Sequence, residues 1–114
     1  MLSRELIEAL LAFRKERDWE QFHSPRNLAA ALSVEAAELL EHFIWAPDAE
    51  VASVAAAKKH RIAAEIADVA IYLSYLAHDL GIDIDAAVQE KLRTNAKRYP
   101  VEKARSSSRK YSDR

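Results

Sequence analysis

Apolar positions along this chain recur every three or four residues over long stretches. That is the period of a buried helix face, not the alternation of a half-buried strand. Leu6, Leu10 and Phe13 mark the first such stripe and predict a helix from about Leu2 to Arg17, with Ser3 placed to cap it. A polar and aromatic stretch, Asp18-Trp-Glu-Gln-Phe-His-Ser-Pro-Arg-Asn27, then interrupts the pattern. Within it Ser24-Pro25 reads as a cap followed by proline at the first helical position, where a missing N–H is harmless. A second helix runs from about Pro25 to Trp45, and Pro47-Asp48 breaks it, with Asp48 placed to cap the next helix. Ala49 to Ala57 suits either a separate short helix or the start of the third. The third is clear from about Lys58 to Leu80 and ends at Gly81, the residue best suited to a left-handed C-terminal cap. Asp83 caps a fourth helix that reaches about Arg98, and Tyr99-Pro100 stops it.

Composition narrows this to an all-α fold, similar to a four-helix bundle. One glycine and three prolines in 114 residues are too few turn formers for a β-sandwich. The length suits one domain, taken as residues 1–100, with a serine-, lysine- and arginine-rich tail over 101–114 that is expected to be mobile or to close over a site. A chain this short buries only a small core, so an oligomer is expected. Net charge is −1 with no run of like charge before the C-terminus, which argues against a nucleic-acid partner. The absence of cysteine excludes disulfides and thiolate metal sites. No segment is apolar for long enough to span a membrane, and no basic region followed by an apolar stretch opens the chain, so a cytoplasmic location is expected.

The acidic residues change the picture. On a helical wheel with Glu35 at zero, Leu28, Leu32 and Leu39 fall within about 60° of it, Glu38 lies about 60° to the other side, and His42 falls between the two glutamates. Glu35 therefore sits inside the apolar stripe, while Glu41 lies further round. The third helix repeats the arrangement: Ile62, Val69, Tyr72 and Leu76 fall within about 60° of Glu65, and Asp68 flanks them. A lone Glu-x-x-Glu is ordinarily a solvated face. Two acidic pairs, each inside an apolar stripe, bring four carboxylates together wherever those stripes meet. Unpaired buried carboxylates are expensive, so either their pKa values rise or cations sit among them. An all-oxygen cluster suits a hard cation, magnesium or manganese, and magnesium held by carboxylates commonly binds substrate phosphates as well. A ferritin-like di-iron bundle would need Glu-x-x-His pairs on its helices, and these helices carry none. A non-enzymatic interaction bundle would pair the carboxylates with Arg and Lys, which are scarce on the acidic faces.

Several other residues stand out by position. His23 lies in the loop before the second helix, and Trp45, which closes that helix, suits either core packing or stacking on a base; Trp19 has the same two readings, with core packing the more natural. Tyr72 shares the face of Glu65 and Asp68. On the fourth helix Ile84, Val88, Leu92 and Asn95 form one stripe, and a buried amide must be hydrogen-bonded. Lys91 flanks that stripe. With Arg98, Arg109 and Lys110, it is a candidate phosphate contact.

At this point the sequence resembles a known family. Glu-x-x-Glu followed some thirty residues later by Glu-x-x-Asp looks like the motif of the MazG-like all-α nucleoside triphosphate pyrophosphohydrolases. The strings Glu16-Arg-Asp-Trp-Glu-Gln-Phe-His-Ser-Pro-Arg-Asn-Leu28, Phe43-Ile-Trp45, Asp68-Val-Ala-Ile-Tyr-Leu73, Asn95-Ala-Lys-Arg-Tyr-Pro-Val101 and Arg109-Lys-Tyr111 are similar to its dCTP pyrophosphatase branch, over nearly the whole chain. The resemblance implies a helical homodimer or homotetramer that hydrolyses a nucleoside triphosphate, dCTP or a modified dCTP, to the monophosphate and pyrophosphate, as a house-cleaning enzyme; a related pyrophosphohydrolase of other or non-standard nucleotides is the alternative. By position it makes Glu35, Glu38, Glu65 and Asp68 the magnesium ligands, and Glu41 a third acidic position near them. Glu35 and Glu38 are also the candidates to orient the attacking water. His23, Trp45, Tyr72 and Asn95 match positions lining a base and sugar pocket. The chain departs from the pattern in the alanine-rich linker Ala46–Ala57 and at Ala36 and Ala37, where relatives often have glycine.

Overall fold

The structure, a computed structural model, describes residues 1–105. Every regular element among them is helical. Helix α1 covers Arg4–Glu16, α2 Pro25–Glu41, α3 Val51–Ala57, α4 Lys59–Asp79, α5 Ile84–Arg98 and α6 Val101–Ala104, with single 3-10 turns at Glu20–Phe22 and Asp48–Glu50.

The caps follow side-chain chemistry. Ser3 accepts from the Leu6 amide at 3.2 Å, Ser24 from Asn27 at 3.1 Å and Asp83 from Ala86 at 3.1 Å, each satisfying an amide that the first turn leaves free. Pro25 takes the first helical position of α2. Gly81, with φ of 67°, ends α4 in the left-handed conformation that a side chain would resist.

Two boundaries differ from the pattern-based expectation, and a third settles an alternative that the pattern left open. Helix α2 stops at Glu41, four residues before Trp45. Residues 42–46 tighten into turns, with the Phe43 amide on the Leu40 carbonyl and the Ala46 amide on that of Phe43, because Pro47 disfavours helical geometry in the residue before it. Asp48 caps nothing: Pro47 precedes the 3-10 turn, Glu50 precedes α3, and neither start has a side-chain cap. The linker resolves into a separate short helix, α3, since Lys58 (φ −106°, ψ 15°) leaves helical geometry before α4 begins.

The described residues divide into two compact units, Leu2–Gly81 in one and Met1 with residues 82–105 in the other. In the larger unit α2 packs along α4, and α1 and α3 also lean on α4. Its interior is small: Leu28 on α2 and Tyr75 and Ala77 on α4 are the buried apolar residues, with Ser74 and Arg14 buried beside them. Sealing a leucine such as Leu28 away from water contributes about 2 kcal/mol. In the other unit α5 buries no residue; Val88 and Leu92 are exposed and Asn95 is half-buried. No helix among the described residues is long and apolar enough to cross a membrane. Arg109 and Lys110, and most of the expected tail, lie outside the described residues.

Candidate active site

Helix α4 carries one functional stripe. Glu65, Asp68, Tyr72, Tyr75 and Asp79 succeed one another at steps of three and four, and so lie within about 80° of each other on its surface. Each end of this stripe meets a different partner helix, and the two ends have opposite electrostatics.

At the first end, α2 presents Glu35 to α4. Oε2 of Glu35 is buried and has no hydrogen-bond partner. Its carboxyl is held above the usual glutamate range, first by loss of water, then by its hydrogen bond with Glu38, and then by the negative charges of Glu38, Asp68 and Glu65. The other three predicted carboxylates therefore all act on Glu35. Glu65 has a partner that sequence reasoning did not enlist: Nε2 of His42, in the turn after α2, lies 2.5 Å from Glu65 Oε2. The sign was on the wheel, where His42 falls between Glu35 and Glu38. With Glu65 turned to this imidazole, no three His, Asp or Glu side chains among the described residues are arranged to hold a metal ion as they stand.

Further along the stripe is a cavity of about 350 Å³, lined by Leu10, Phe13, Trp19, His23, Asp68, Ile71, Tyr72 and Tyr75. Its size falls in the range of small-molecule pockets, roughly 300–1,000 Å³. The loop from Arg17 to Ser24 forms one wall. Asp18 adopts φ of 55°, a left-handed conformation that aspartate tolerates better than most residues, and this turns the chain back on α1. The Trp19 amide then reaches the Arg14 carbonyl at 2.9 Å, and Gln21 donates to both the backbone and the side chain of Asp18. The Asn27 side chain donates to the Phe22 carbonyl at 3.0 Å, which ties the loop to α2. Trp19 stacks edge-on against Phe13 at 5.6 Å and remains 43% exposed, so it is a cavity wall and not the core residue expected.

Beyond the cavity lies the second charged cluster. Arg14 is 5% exposed, and its two terminal nitrogens grip the Asp79 carboxylate at 2.9 and 2.5 Å. Asp79 is held below the usual aspartate range by that hydrogen bond, against the opposing effect of burial. The guanidinium lies over the Tyr75 ring at 4.7 Å, and the Tyr75 hydroxyl donates to the Leu10 carbonyl at 2.7 Å. Arg14, Tyr75 and Asp79 were not singled out from the sequence. The available sign was Arg14 itself, four residues after Leu10 and so within the apolar stripe of α1.

Of the sequence-predicted residues, the structure gathers Glu35, Glu38, Glu65 and Asp68 in one electrostatic cluster, and Asp68, Tyr72 and His23 around one cavity. Trp45 is 87% exposed in the turn after α2 and is not among the residues lining that cavity. Glu41 ends α2. Lys91, Asn95 and Arg98 lie on α5, in the other unit.

Comparison with known proteins places this arrangement. The chain is 50% identical to dCTP pyrophosphatase 1 of Rattus norvegicus and 48% identical to that of Homo sapiens, each over 103 residues and 89% of this chain. It spans about three fifths, 61%, of the length of those relatives. A crystal structure of a pyrophosphatase from Archaeoglobus fulgidus is similar with a TM-score of 0.82 and 41% identity, covering 84% of this chain and 90% of that one. Residues 30–113, which include both acidic pairs, match the MazG-like family. With that match, the fold and the paired acidic helices, the chain belongs to the MazG-like family.

Proposed function

We propose that this chain is a magnesium-dependent nucleoside triphosphate pyrophosphohydrolase that converts dCTP or a modified dCTP to the monophosphate and pyrophosphate. The observation that carries the reading is Glu35: a half-buried carboxyl with one buried, orphaned oxygen, under the influence of three more carboxylates. Such a cluster is costly unless a cation or protons compensate it. Its relatives' names supply the nucleotide, and the cavity beside Asp68 supplies room for part of it.

The residues fit a hard divalent cation by chemistry. Glu35, Glu38, Glu65 and Asp68 offer only oxygen, on helices packed face to face. Magnesium, or manganese in its place, would neutralise triphosphate charge and polarise phosphorus. Glu38, exposed at the rim of the cluster, is placed to orient the attacking water and take its proton. Tyr72 and His23 present a hydroxyl and an imidazole to the base or sugar in an aromatic-walled cavity. Trp45 offers an exposed ring for stacking. Exposed Phe22, Leu40, Ile44 and Trp45 on a chain with so small a core support assembly as a homodimer or homotetramer. A substrate drawn from the nucleotide pool suits a cytoplasmic enzyme that needs neither nucleic acid nor membrane as partner.

The test is a pyrophosphate-release assay across the common triphosphates, with and without magnesium. Release from dCTP that requires the metal is expected. If the folded protein acts on no triphosphate, the enzymatic reading is wrong. Equal rates on every base would reject the cytosine preference and leave the reaction class standing.

A further inference from the structure

We propose that Arg14, clamped by Asp79, is a positioning residue that fixes His23 as the tautomer with its proton on Nε2, so that the cavity reads a hydrogen-bond acceptor on its ligand. This rests on the reading of the cavity as the site of a nucleotide's base.

A guanidinium has five N–H donors and no acceptor. Nη1 of Arg14 donates to Asp79 Oδ2 at 2.9 Å and also lies 3.4 Å from Nδ1 of His23. Since Arg14 can only donate, Nδ1 must accept and carry no proton. A neutral imidazole has one proton, so it sits on Nε2.

Three features make this arrangement rigid. The two-point grip of Asp79 fixes the plane of the guanidinium, which a lysine could not reproduce. Tyr75, anchored to the Leu10 carbonyl, lies under Arg14 at 4.7 Å and beside the His23 ring at 5.2 Å. The backbone at His23 is held from both sides, by its own amide on the Glu20 carbonyl and by the Ser24 cap on α2. Burial and the charge of Arg14 both favour a neutral ring, while Asp79 and Glu20 oppose them more weakly.

Nε2–H is then the ring's remaining polar group, on a side chain that lines the cavity. The partner it selects is an acceptor: a carbonyl oxygen or an unprotonated ring nitrogen of a base. An N–H at that place would meet a donor and be rejected, a penalty comparable to leaving a buried polar group unpaired.

The experiment is long-range ¹H–¹⁵N correlation NMR of the histidine rings, with His23 assigned by its loss in His23→Gln. In the wild-type protein the His23 spectrum should show an unprotonated Nδ1 and a protonated Nε2. In Arg14→Lys and Arg14→Met the two tautomers should mix, and KM for the nucleotide should rise about tenfold against a kcat reduced less than threefold. A purely structural Arg14 would leave the tautomer unchanged. The proposal is overturned if wild-type His23 carries its proton on Nδ1 or averages both forms. It also falls if a folded Arg14 variant keeps both the spectrum and the KM. Should either variant fail to fold, the wild-type spectrum and the more conservative Asp79→Asn, which should also mix the tautomers, decide the matter. A wild-type protein that hydrolyses no triphosphate would overturn the functional reading, and the tautomer assignment would still be settled by the spectrum.

Discussion

The two ends of the α4 stripe bury charge in opposite ways. At one end Arg14 meets Asp79 in a two-point grip, so its charge is answered within the chain. At the other, Glu35 is placed among carboxylates of its own sign with one oxygen unpartnered. Both are ionisable groups withdrawn from water on the same small helical scaffold. The first answers its charge within the chain, although Nε of Arg14 is also buried without a partner, and it holds a loop and a histidine in place. The second leaves a buried oxygen and like charges that its neighbours on α2 and α4 do not answer, and the proposed cation site rests on that contrast.

The largest effect that tests this contrast is on turnover. Glu38→Gln should lower pyrophosphate release at least 100-fold, roughly the size of losing a positioned general base, with the helical circular dichroism spectrum unchanged. Near wild-type turnover would mean that the open end of the stripe is not the reaction centre.

The closed end should govern stability instead. Asp79→Ala strands a buried guanidinium and should destabilise the fold by about 2–4 kcal/mol in chemical denaturation, somewhat less than a fully buried pair because Asp79 is partly exposed. Replacing both partners, as Arg14→Met with Asp79→Leu, should recover much of that loss. If the double variant is no better than the single, the pair is not a closed unit.

The open end should respond with the opposite sign. Glu35→Gln removes one charge from a like-charged cluster, so the metal-free protein should gain about 1 kcal/mol, or about 4 °C in Tm at neutral pH. Magnesium should raise the Tm of the wild type and leave that of the variant nearly unmoved. A Glu35→Gln protein that melts lower than wild type without metal would mean that Glu35 is already compensated within the chain.

The smallest expected effect is on acid stability. Asp79 has its pKa depressed in the fold by Arg14. Its stabilising contribution is therefore present above the ordinary aspartate value, about 3.9, and is lost as pH falls through the depressed one. Asp79→Asn should flatten the loss of stability below about pH 4 relative to wild type. An unchanged acid limb would show that the pair is not titrating as the geometry requires.

Much of the fold and of the acidic site was legible in the sequence because helices are local. Ser3, Ser24, Asp83 and Gly81 each set a boundary by chemistry within one turn, and the wheel placed Glu35 and Glu65 inside apolar stripes before any packing was known. The misses have local causes too. Asp48 looked like a cap, but Pro47 took the preceding position and left it inside the turn. The Pro47 effect on the residues before it shortened α2. Trp19 was expected in the core because nothing in its neighbourhood reveals that the loop folds back to wall a cavity.

The sequence by itself determined the all-helical class, the main helix boundaries and the acidic pairs, since each depends on residues three or four apart. Only the tertiary structure decided which charges are answered. Arg14 and Asp79 lie 65 residues apart, and His42 and Glu65 lie 23 apart. Whether a buried charge is compensated depends on which helix lies across from it. No periodicity along the chain encodes that.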